Sequence, residues 1–219
     1  MGREVNLLDA YPSAKRSFDD RFSSITVADR IAARYFGREY FDGTRNQGYG
    51  GYSYHPRFWQ PVVKRLQAYY RLSAKSRVLD VGCGKGFLLH DLKELIPQIT
   101  VAGVDISEYA INSALDDVKP FIQIGNAKKL PFADGTFDLV LSINTIHNLP
   151  IEDCLPALSE IERVSQKHKF IVVDAWRTEE EKQRMAKWVI TGITCLSTKD
   201  WKELFKLAGY SGDFYWFIV

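Results

Sequence analysis

Residues 78–86 read Val-Leu-Asp-Val-Gly-Cys-Gly-Lys-Gly, an apolar run that breaks into a glycine-rich turn. A short apolar run bounded by glycines is typical of a buried strand in a parallel sheet, and helical spacing begins at Phe87. Glycines let the backbone approach a ligand closely, and the N-terminus of a helix favours negative charge. The stretch therefore predicts a strand, a turn that binds a negatively charged group, and a helix.

The spacing of the glycines separates this turn from that of dinucleotide-binding proteins. Their fingerprint is GxGxxG, whereas residues 82–86 have the pattern GxGxG and Phe87 stands where the third glycine is wanted. Asp80, two residues before Gly82, suits a ligand with an ammonium group, which it can meet directly or through hydrogen bonds of the turn. The turn therefore favours an amino-acid ligand over a pyrophosphate, and a dehydrogenase is disfavoured.

Short apolar runs alternate with segments of helical period from residue 77 onward. This alternation is typical of βαβ units that feed a mostly parallel sheet with flanking helices, so we predict a doubly wound α/β domain over residues 77–219. Strands are predicted at residues 77–81, 100–105, 121–124, 139–143, 170–174 and 214–219. Helices are predicted at residues 87–96, 108–118, 155–164, 178–189 and 201–208.

Residues 1–76 do not follow the alternation and are predicted to form an N-terminal extension with helices near residues 27–36 and 58–72. Between these helices, residues 40–54 read YFDGTRNQGYGGYSY. Tyrosine joins low side-chain entropy to a polar tip, and glycine gives backbone freedom. The segment is either a loop that packs on the domain or a lid over a pocket. We expect the lid, because long ordered loops in compact domains are usually functional.

Composition and charge exclude several classes of protein. A chain of 219 residues is long enough for one well-packed domain with appendages and too short for two full-sized ones. A net charge of +2, with no stripe of Lys and Arg, disfavours nucleic acid as a partner. Cys83, Cys154 and Cys195 lack the spacing of a disulfide framework or metal site, so we expect no metal and a reducing compartment. With no signal peptide or membrane span in the sequence, we expect a soluble, cytoplasmic protein.

Polar residues also follow the second and third predicted strands. Asp105 ends the run Val-Ala-Gly-Val-Asp and can accept hydrogen bonds from both hydroxyls of a ribose, while Ile106 offers an apolar face to a base. Asn126, followed by Ala127, can donate to and accept from the edge of adenine. Alternatively, Asp80 and Asp105 only stabilise turns, as aspartates often do. Their occurrence together with the glycine pattern favours ligand binding.

These motifs together resemble class I S-adenosylmethionine-dependent methyltransferases, particularly the branch that modifies small molecules. VLDVGCGKGFLL at residues 78–89 is similar to the family's first motif, and GVDIS at residues 103–107 is similar to its ribose-binding motif. GNAKKLPFADGTFDLVLSINTIHNL at residues 125–149 resembles the region of its third and fourth strands. The resemblance covers residues 76–174 and implies a Rossmann-like fold, S-adenosylmethionine as cofactor and S-adenosylhomocysteine as product.

The resemblance also implies which residues contact the cofactor. Gly82, Cys83 and Gly84 would contact the methionine moiety, Asp105 the ribose, and Asn126 with Ala127 the adenine. Many relatives have Asp where Asn126 stands, although an amide keeps the acceptor and adds donors. The family fold usually ends with a helix and two strands in an antiparallel hairpin, but only ten residues follow Gly209. We therefore expect either six strands or a seventh, irregular edge strand at residues 190–196.

The end of the fourth predicted strand supplies candidates for the acceptor site, because this strand ends beside the transferring methyl group in the family that the chain resembles. They are Asn144, His147 and Asn148. Methyl transfer from a sulfonium is an in-line displacement, so the protein chiefly supplies proximity, orientation and, in some cases, a base. His147 is a candidate base because an imidazole titrates near neutral pH; alternatively, it hydrogen-bonds locally at a strand-to-helix turn.

Side chains in the predicted lid and after the fifth predicted strand are candidates for contacts with a small-molecule acceptor. They are Tyr49, Tyr52, Tyr54, His55, Arg57, Trp176 and Arg177. The arginines can pair with a carboxylate or phosphate of the acceptor, or form surface ion pairs. The alternatives are a protein or RNA methyltransferase and a non-catalytic cofactor-binding subunit. The near-neutral charge favours a small-molecule acceptor, and the oligomeric state is left open.

Overall fold

Seven parallel strands form one sheet in the part of the chain that the computed structural model describes, residues 2–12, 24–50 and 53–219. In chain order they are β1 (Arg77–Val81), β2 (Thr100–Asp105), β3 (Ile122–Ile124), β4 (Phe137–Ile143), β5 (Ser165–Trp176), β6 (Leu196–Ser197) and β7 (Asp213–Phe217). The sheet order is β3-β2-β1-β4-β5, and both β6 and β7 pair with β5. The predicted α/β class with a doubly wound, mostly parallel sheet is confirmed.

Helices cover both faces of the sheet. They are α1 (Val27–Arg34), α2 (Arg38–Asp42), α3 (Pro56–Tyr70), α4 (Phe87–Leu95), α5 (Glu108–Asn112), α6 (Ile151–Val164), α7 (Glu179–Trp188) and α8 (Thr198–Leu207). Alternate side chains of a strand point to opposite faces, and on β5 Val172 packs with α3 and α4 while Ile171 packs with α6 and α8. No helix in the described ranges is long and apolar enough to cross a membrane.

The predicted strands and helices of the central region match the structure closely. β1 and β2 have the predicted bounds, whereas β5 extends further than predicted at both ends. β3 begins only at Ile122 because Lys119–Phe121 form a short 3-10 turn. Helix α5 is shorter than the predicted 108–118, and the Lys119 ammonium donates to the Asn112 carbonyl at 2.8 Å, which satisfies a free acceptor at the helix end.

The last strands differ from the usual hairpin of the family that the sequence resembles. β7 lies parallel to β5, and β6 supplies only two residues beside the end of β5, next to the predicted edge at residues 190–196. The N-terminal segment covers the other edge of β7: the Val5 N–H donates to the Phe214 carbonyl, and the Phe214 N–H donates to the Arg3 carbonyl. Leu7 is buried in the core on the α3 side. Residues 2–7 therefore cover the outer edge of β7.

Candidate functional site

A cavity of about 530 Å³ opens at the carboxyl ends of β1, β2 and β4. β1 lies between β2 and β4, so the connections diverge here, which is where open α/β sheets bind ligands. Every residue that the sequence predicts as a cofactor contact lines this cavity: Asp80, Gly82, Cys83, Gly84, Asp105, Ile106, Asn126 and Ala127. Asn144 and Asn148 line it as well, whereas His147 does not.

The glycine turn between β1 and α4 depends on the absence of side chains. Gly82 has φ +85°, and a Cβ there would lie 2.0 Å from the Thr145 Oγ1. Gly84 has φ +52°, and a Cβ there would lie 3.3 Å from the ring of Phe41. The N–H groups of Gly82 and Cys83 donate to the Val104 carbonyl at 2.7 and 3.2 Å. The turn is thus fixed to β2 and presents bare backbone to the cavity.

Asp105 joins the ends of the first two strands. Its carboxylate accepts hydrogen bonds from the Gly84 N–H at 2.7 Å and from the Ser107 N–H at 2.8 Å. The turn-stabilising role considered for this residue is therefore present in the structure. A carboxylate offers about four acceptor sites, so these two bonds leave capacity for ribose hydroxyls. Burial raises the pKa of Asp105, although its backbone hydrogen bonds oppose the shift.

Asp80 places a second carboxyl group under the same turn. The side chain is 5% exposed and borders the cavity. Burial, together with the negative charge of Asp105, raises the pKa of Asp80 to about 7. A cationic group in the cavity would favour the ionised form and relieve this cost. This pair of buried carboxylates suits a ligand that carries both an ammonium group and a ribose.

The far side of the cavity suits a flat, apolar ring with polar edges. Ile106 is 57% exposed despite being apolar, and it borders the cavity beside Ala127. The Asn126 side-chain carbonyl accepts from the Lys128 N–H at 3.0 Å, which leaves its NH₂ group as a donor. These residues can hold a purine base between an apolar surface and an amide, and their cofactor contacts stay predictions.

The N-terminal extension covers the cavity through α2. Tyr40 and Phe41 border the cavity, and Asp42 at the end of α2 accepts both hydrogen bonds of an ion pair from the Lys85 ammonium at 2.7 and 2.8 Å. The Tyr109 hydroxyl donates to the same carboxylate at 2.6 Å. Lys85 lies in the glycine turn, so this ion pair links α2 to the turn. The sequence alone suggests only a solvated lysine there.

The end of β4 forms the wall opposite the cover. Asn144 has φ +56°, a left-handed conformation that is strained in residues other than glycine. The Asn148 amide donates to the Asn144 carbonyl at 3.0 Å. Its side-chain oxygen is buried and has no hydrogen-bond partner in the described part of the chain. A buried acceptor without a partner is costly, and a molecule in the cavity that Asn148 borders could satisfy this oxygen once the side chain turns towards it.

His147 turns away from the cavity towards Asp174. Its Nδ1 accepts from the Asp174 N–H at 2.9 Å, and its Nε2 lies 3.4 Å from the Asp174 carboxylate. Since Nδ1 accepts, the neutral ring carries its proton on Nε2, and burial lowers the pKa of His147. The geometry fits a hydrogen-bonding role, but the partner lies 27 positions away on β5 and not within the strand-to-helix turn. Within the described residues, no group of three or more His, Cys, Asp or Glu can hold a metal ion.

The described tyrosines of the lid that were candidates for acceptor contacts do not face the large cavity. Tyr52 lies outside the described residues. The Tyr49 hydroxyl accepts from the Ile190 N–H at 2.8 Å, and the Tyr54 hydroxyl donates to Asp91 at 2.8 Å. Neither side chain borders the large cavity. The aromatic residues that do border it are Tyr11, Tyr35, Phe36, Tyr40, Phe41, Trp59 and Phe87. Only two of these, Tyr40 and Phe41, lie in the segment singled out from the sequence.

The remaining acceptor candidates also lie away from the large cavity. His55 begins α3, where its Nδ1 accepts from the Arg57 N–H, and the Arg57 guanidinium lies over the ring of Phe58. Arg177 is exposed and pairs with Glu4 at 3.2 Å. Trp176 borders a second, smaller cavity. Of this group, Trp176 is therefore the residue that the structure places beside open space.

Known proteins resemble this chain in sequence and in fold. The family model for a methyltransferase domain matches residues 72–209, and the chain belongs to this family. Malonyl-[acyl-carrier protein] O-methyltransferase of Legionella pneumophila is 36% identical over 39% of this chain and 31% of that protein. Demethylmenaquinone methyltransferase of Lactiplantibacillus plantarum is 36% identical over 49% of this chain and 47% of that protein. The match spans less than half the length of either relative.

Solved structures share the same fold. The YcgJ protein of Bacillus subtilis is 21% identical, with a TM-score of 0.55 over 67% of this chain and 66% of that chain. The methyltransferase class expected from the motifs of residues 78–149 is confirmed, and S-adenosylmethionine is the cofactor of this class.

Proposed function

We propose that this chain transfers a methyl group from S-adenosylmethionine to a small molecule held between the end of β4 and the aromatic cover. One observation carries the proposal: the cavity joins a bare glycine turn with two buried carboxylates and is covered by aromatic side chains. Several relatives are named for small acceptors, such as demethylmenaquinone and 27-O-demethylrifamycin SV, which supports an acceptor of this kind.

The residues of the cavity fit the cofactor. The turn at Gly82 and Gly84 would receive the methionine moiety, Asp80 its ammonium group, and Asp105 the ribose hydroxyls. Ile106 and Asn126 would hold the adenine. When bound, S-adenosylmethionine supplies an electrophilic methyl group, whose bond to sulfur breaks as a lone pair of the acceptor bonds to its carbon.

The protein's own part in the reaction is orientation and the exclusion of water. The Asn148 side-chain oxygen, turned towards the cavity, would accept a hydrogen bond from the acceptor's hydroxyl or amine and aim its lone pair at the methyl carbon; the methylated product would then lose that proton to solvent as it leaves. Tyr40 and Phe41 would exclude water above it. A base at His147 is not part of the proposal, because Asp174 engages both ring nitrogens.

Cofactor binding is the first test. Calorimetric titration with S-adenosylhomocysteine should give an affinity about tenfold to a hundredfold weaker for Asp105→Ala, since hydrogen bonds to a charged group contribute about 1.5–3 kcal/mol. Asp116→Ala, at an exposed aspartate, is the matched control and should bind normally. Unchanged affinity in a folded Asp105→Ala chain would remove Asp105 from the site.

The acceptor class needs a second measurement. Radiolabelled methyl from S-adenosylmethionine is followed into the small-molecule, protein and RNA fractions of a cell extract. We expect label in the small-molecule fraction only. Label in protein or RNA would support those alternatives, and no transfer by a chain that binds the cofactor would indicate a non-catalytic subunit.

A further inference from the structure

A second cavity, of about 320 Å³, lies beyond the end of β5. Its walls come from α1, the last residue of β5, α7 and the segment between α7 and β6. The lining residues are Arg30, Arg34, Trp176, Lys182, Ala186, Val189, Gly192 and Cys195. It opens at the carboxyl edge of the sheet, as the cofactor cavity does, and this is the edge at which such sheets bind ligands.

The charges around this cavity are unbalanced. Three lining residues are basic and none is acidic. The Arg30 guanidinium donates to the Val189 carbonyl. No carboxylate of the described residues lies within ion-pair distance of Arg30 or Arg34, and Lys182 has Glu179 at 3.4 Å. Guanidinium groups without a carboxylate partner keep the forked donors that match a carboxylate or a phosphate.

The nearest buried acid lies behind the wall of the cavity. A Cβ on Gly192 would lie 3.6 Å from the Asp174 carboxylate, but Asp174 itself does not line the cavity. Asp174 faces the His147 imidazole at 3.4 Å. The charged residues that line the cavity are therefore all basic, and the Lys182 ammonium lies over the indole ring of Trp176, 5.0 Å from its centroid.

Arg34 connects the two cavities. Its side chain borders both the smaller cavity and the cofactor cavity. The two cavities are therefore adjacent at Arg34. A group bound by Arg34 in the smaller cavity would therefore lie next to the cavity that Asn144 and Asn148 border.

We propose that the smaller cavity binds an anionic group of the methyl acceptor, a carboxylate or a phosphate, through Arg30, Arg34 and Lys182, with Trp176 against its apolar part. The inference rests on the proposed methyl transfer and narrows its substrate class to small organic anions. It also assigns to Arg30 and Arg34 the anion-pairing role first considered for Arg57 and Arg177.

Binding of small anionic probes tests this site. The full chain, saturated with S-adenosylhomocysteine, is titrated with 4-hydroxybenzoate and phenyl phosphate, and with 4-hydroxybenzamide as the uncharged counterpart. We expect the anions to bind about tenfold more tightly than the amide, and Arg30→Gln or Lys182→Gln to weaken anion binding about tenfold, since each removes a charge-assisted bond. The two anions distinguish a carboxylate site from a phosphate site.

Matched variants separate the site from a general effect of charge. Arg38→Gln removes a positive charge from α2. Because Arg38 borders neither cavity, this variant should leave anion binding unchanged. Equal losses in Arg38→Gln and Arg30→Gln, or equal affinity for the benzoate and the amide, would overturn the inference. So would the absence of anion binding at millimolar concentration in a chain that binds S-adenosylhomocysteine. Failure to bind S-adenosylhomocysteine would instead contradict the proposed function.

Discussion

Gly82 is the residue of the turn with the least space for a side chain. A Cβ there would lie 2.0 Å from the Thr145 Oγ1, in a backbone with φ +85°. Gly135 has φ +58° with nothing within 4 Å of an added Cβ, so Gly135→Ala isolates the backbone cost, about 1–2 kcal/mol. We expect Gly82→Ala to lose about 1–3 kcal/mol more than this control, because of overpacking. Urea unfolding of both variants measures the difference, and equal losses would contradict it.

Asp80 links stability to pH. Its pKa rises from the ordinary 3.8 to about 7 on folding, so the folded chain holds the proton more tightly than the unfolded chain. The free energy of unfolding therefore falls as pH rises between these values. Asp80→Asn removes this titration and should stabilise the chain by about 2–4 kcal/mol above pH 7, with little effect at acidic pH.

The matching experiment compares unfolding at about pH 5 and about pH 8. Asp116→Asn, at an exposed residue, is the control and should show the same small change at both. Asp80→Asn should also weaken the binding of S-adenosylhomocysteine, because an amide cannot neutralise the ammonium group of this ligand. A stability gain that does not depend on pH would show that Asp80 is ionised throughout.

The sequence predicts where these residues lie in the fold, but it does not predict the directions of their side chains. Asn144, His147 and Asn148 all follow β4, and their positions after a parallel strand predict the right edge of the sheet. His147 nevertheless turns inward, because Asp174, 27 positions later, offers both a donor and a carboxylate. No local pattern around His147 contains that partner.

Helix α2 joins the N-terminal extension to the glycine turn through Asp42 and Lys85. Asp42→Ala removes the ion pair with Lys85 and the hydrogen bond from Tyr109. We expect turnover to fall about fivefold, as expected for a partly exposed pair that contributes about 1 kcal/mol, and proteolysis of residues 38–50 to become faster. Glu39→Gln, on the exposed face of the same helix, should change neither. Normal turnover in Asp42→Ala would make α2 a structural element only.

The elements near the glycine turn could be predicted because their signals are local. β1 and β2 are buried strands that read as apolar runs; Gly82 marks where β1 ends, and Asp105 followed by the helix cap Ser107 marks where β2 ends. The pairing of β7 could not be predicted, since its neighbours are β5 and residues 3–5, far apart in the chain. The cationic lining of the smaller cavity was missed for the same reason: Arg30 and Lys182 meet only in the folded chain.

The N-terminal extension contributes to the hydrophobic core and also borders the large cavity. The sequence suggests that a chain lacking residues 1–57 keeps a folded domain. The structure speaks against this, because residues 3–5 pair with β7 and Leu7 is 3% exposed. Leu7→Ala should cost about 2–4 kcal/mol, whereas Leu207→Ala, at 75% exposure, should cost little. Denaturant unfolding of both variants checks this, and equal stabilities would make residues 2–12 a detachable tail.

We expect the pairing of residue 3 with residue 213 to form late in folding. These two residues hydrogen-bond across 210 positions of the chain. Closing so long a loop is entropically unfavourable until the sheet between its ends has formed. Arg3 is made 210 residues before Asp213, so this hydrogen bond cannot form until Asp213 has been made. We therefore expect residues 3–5 to pair with β7 late in folding, and until then the edge of β7 is open to pairing with other chains.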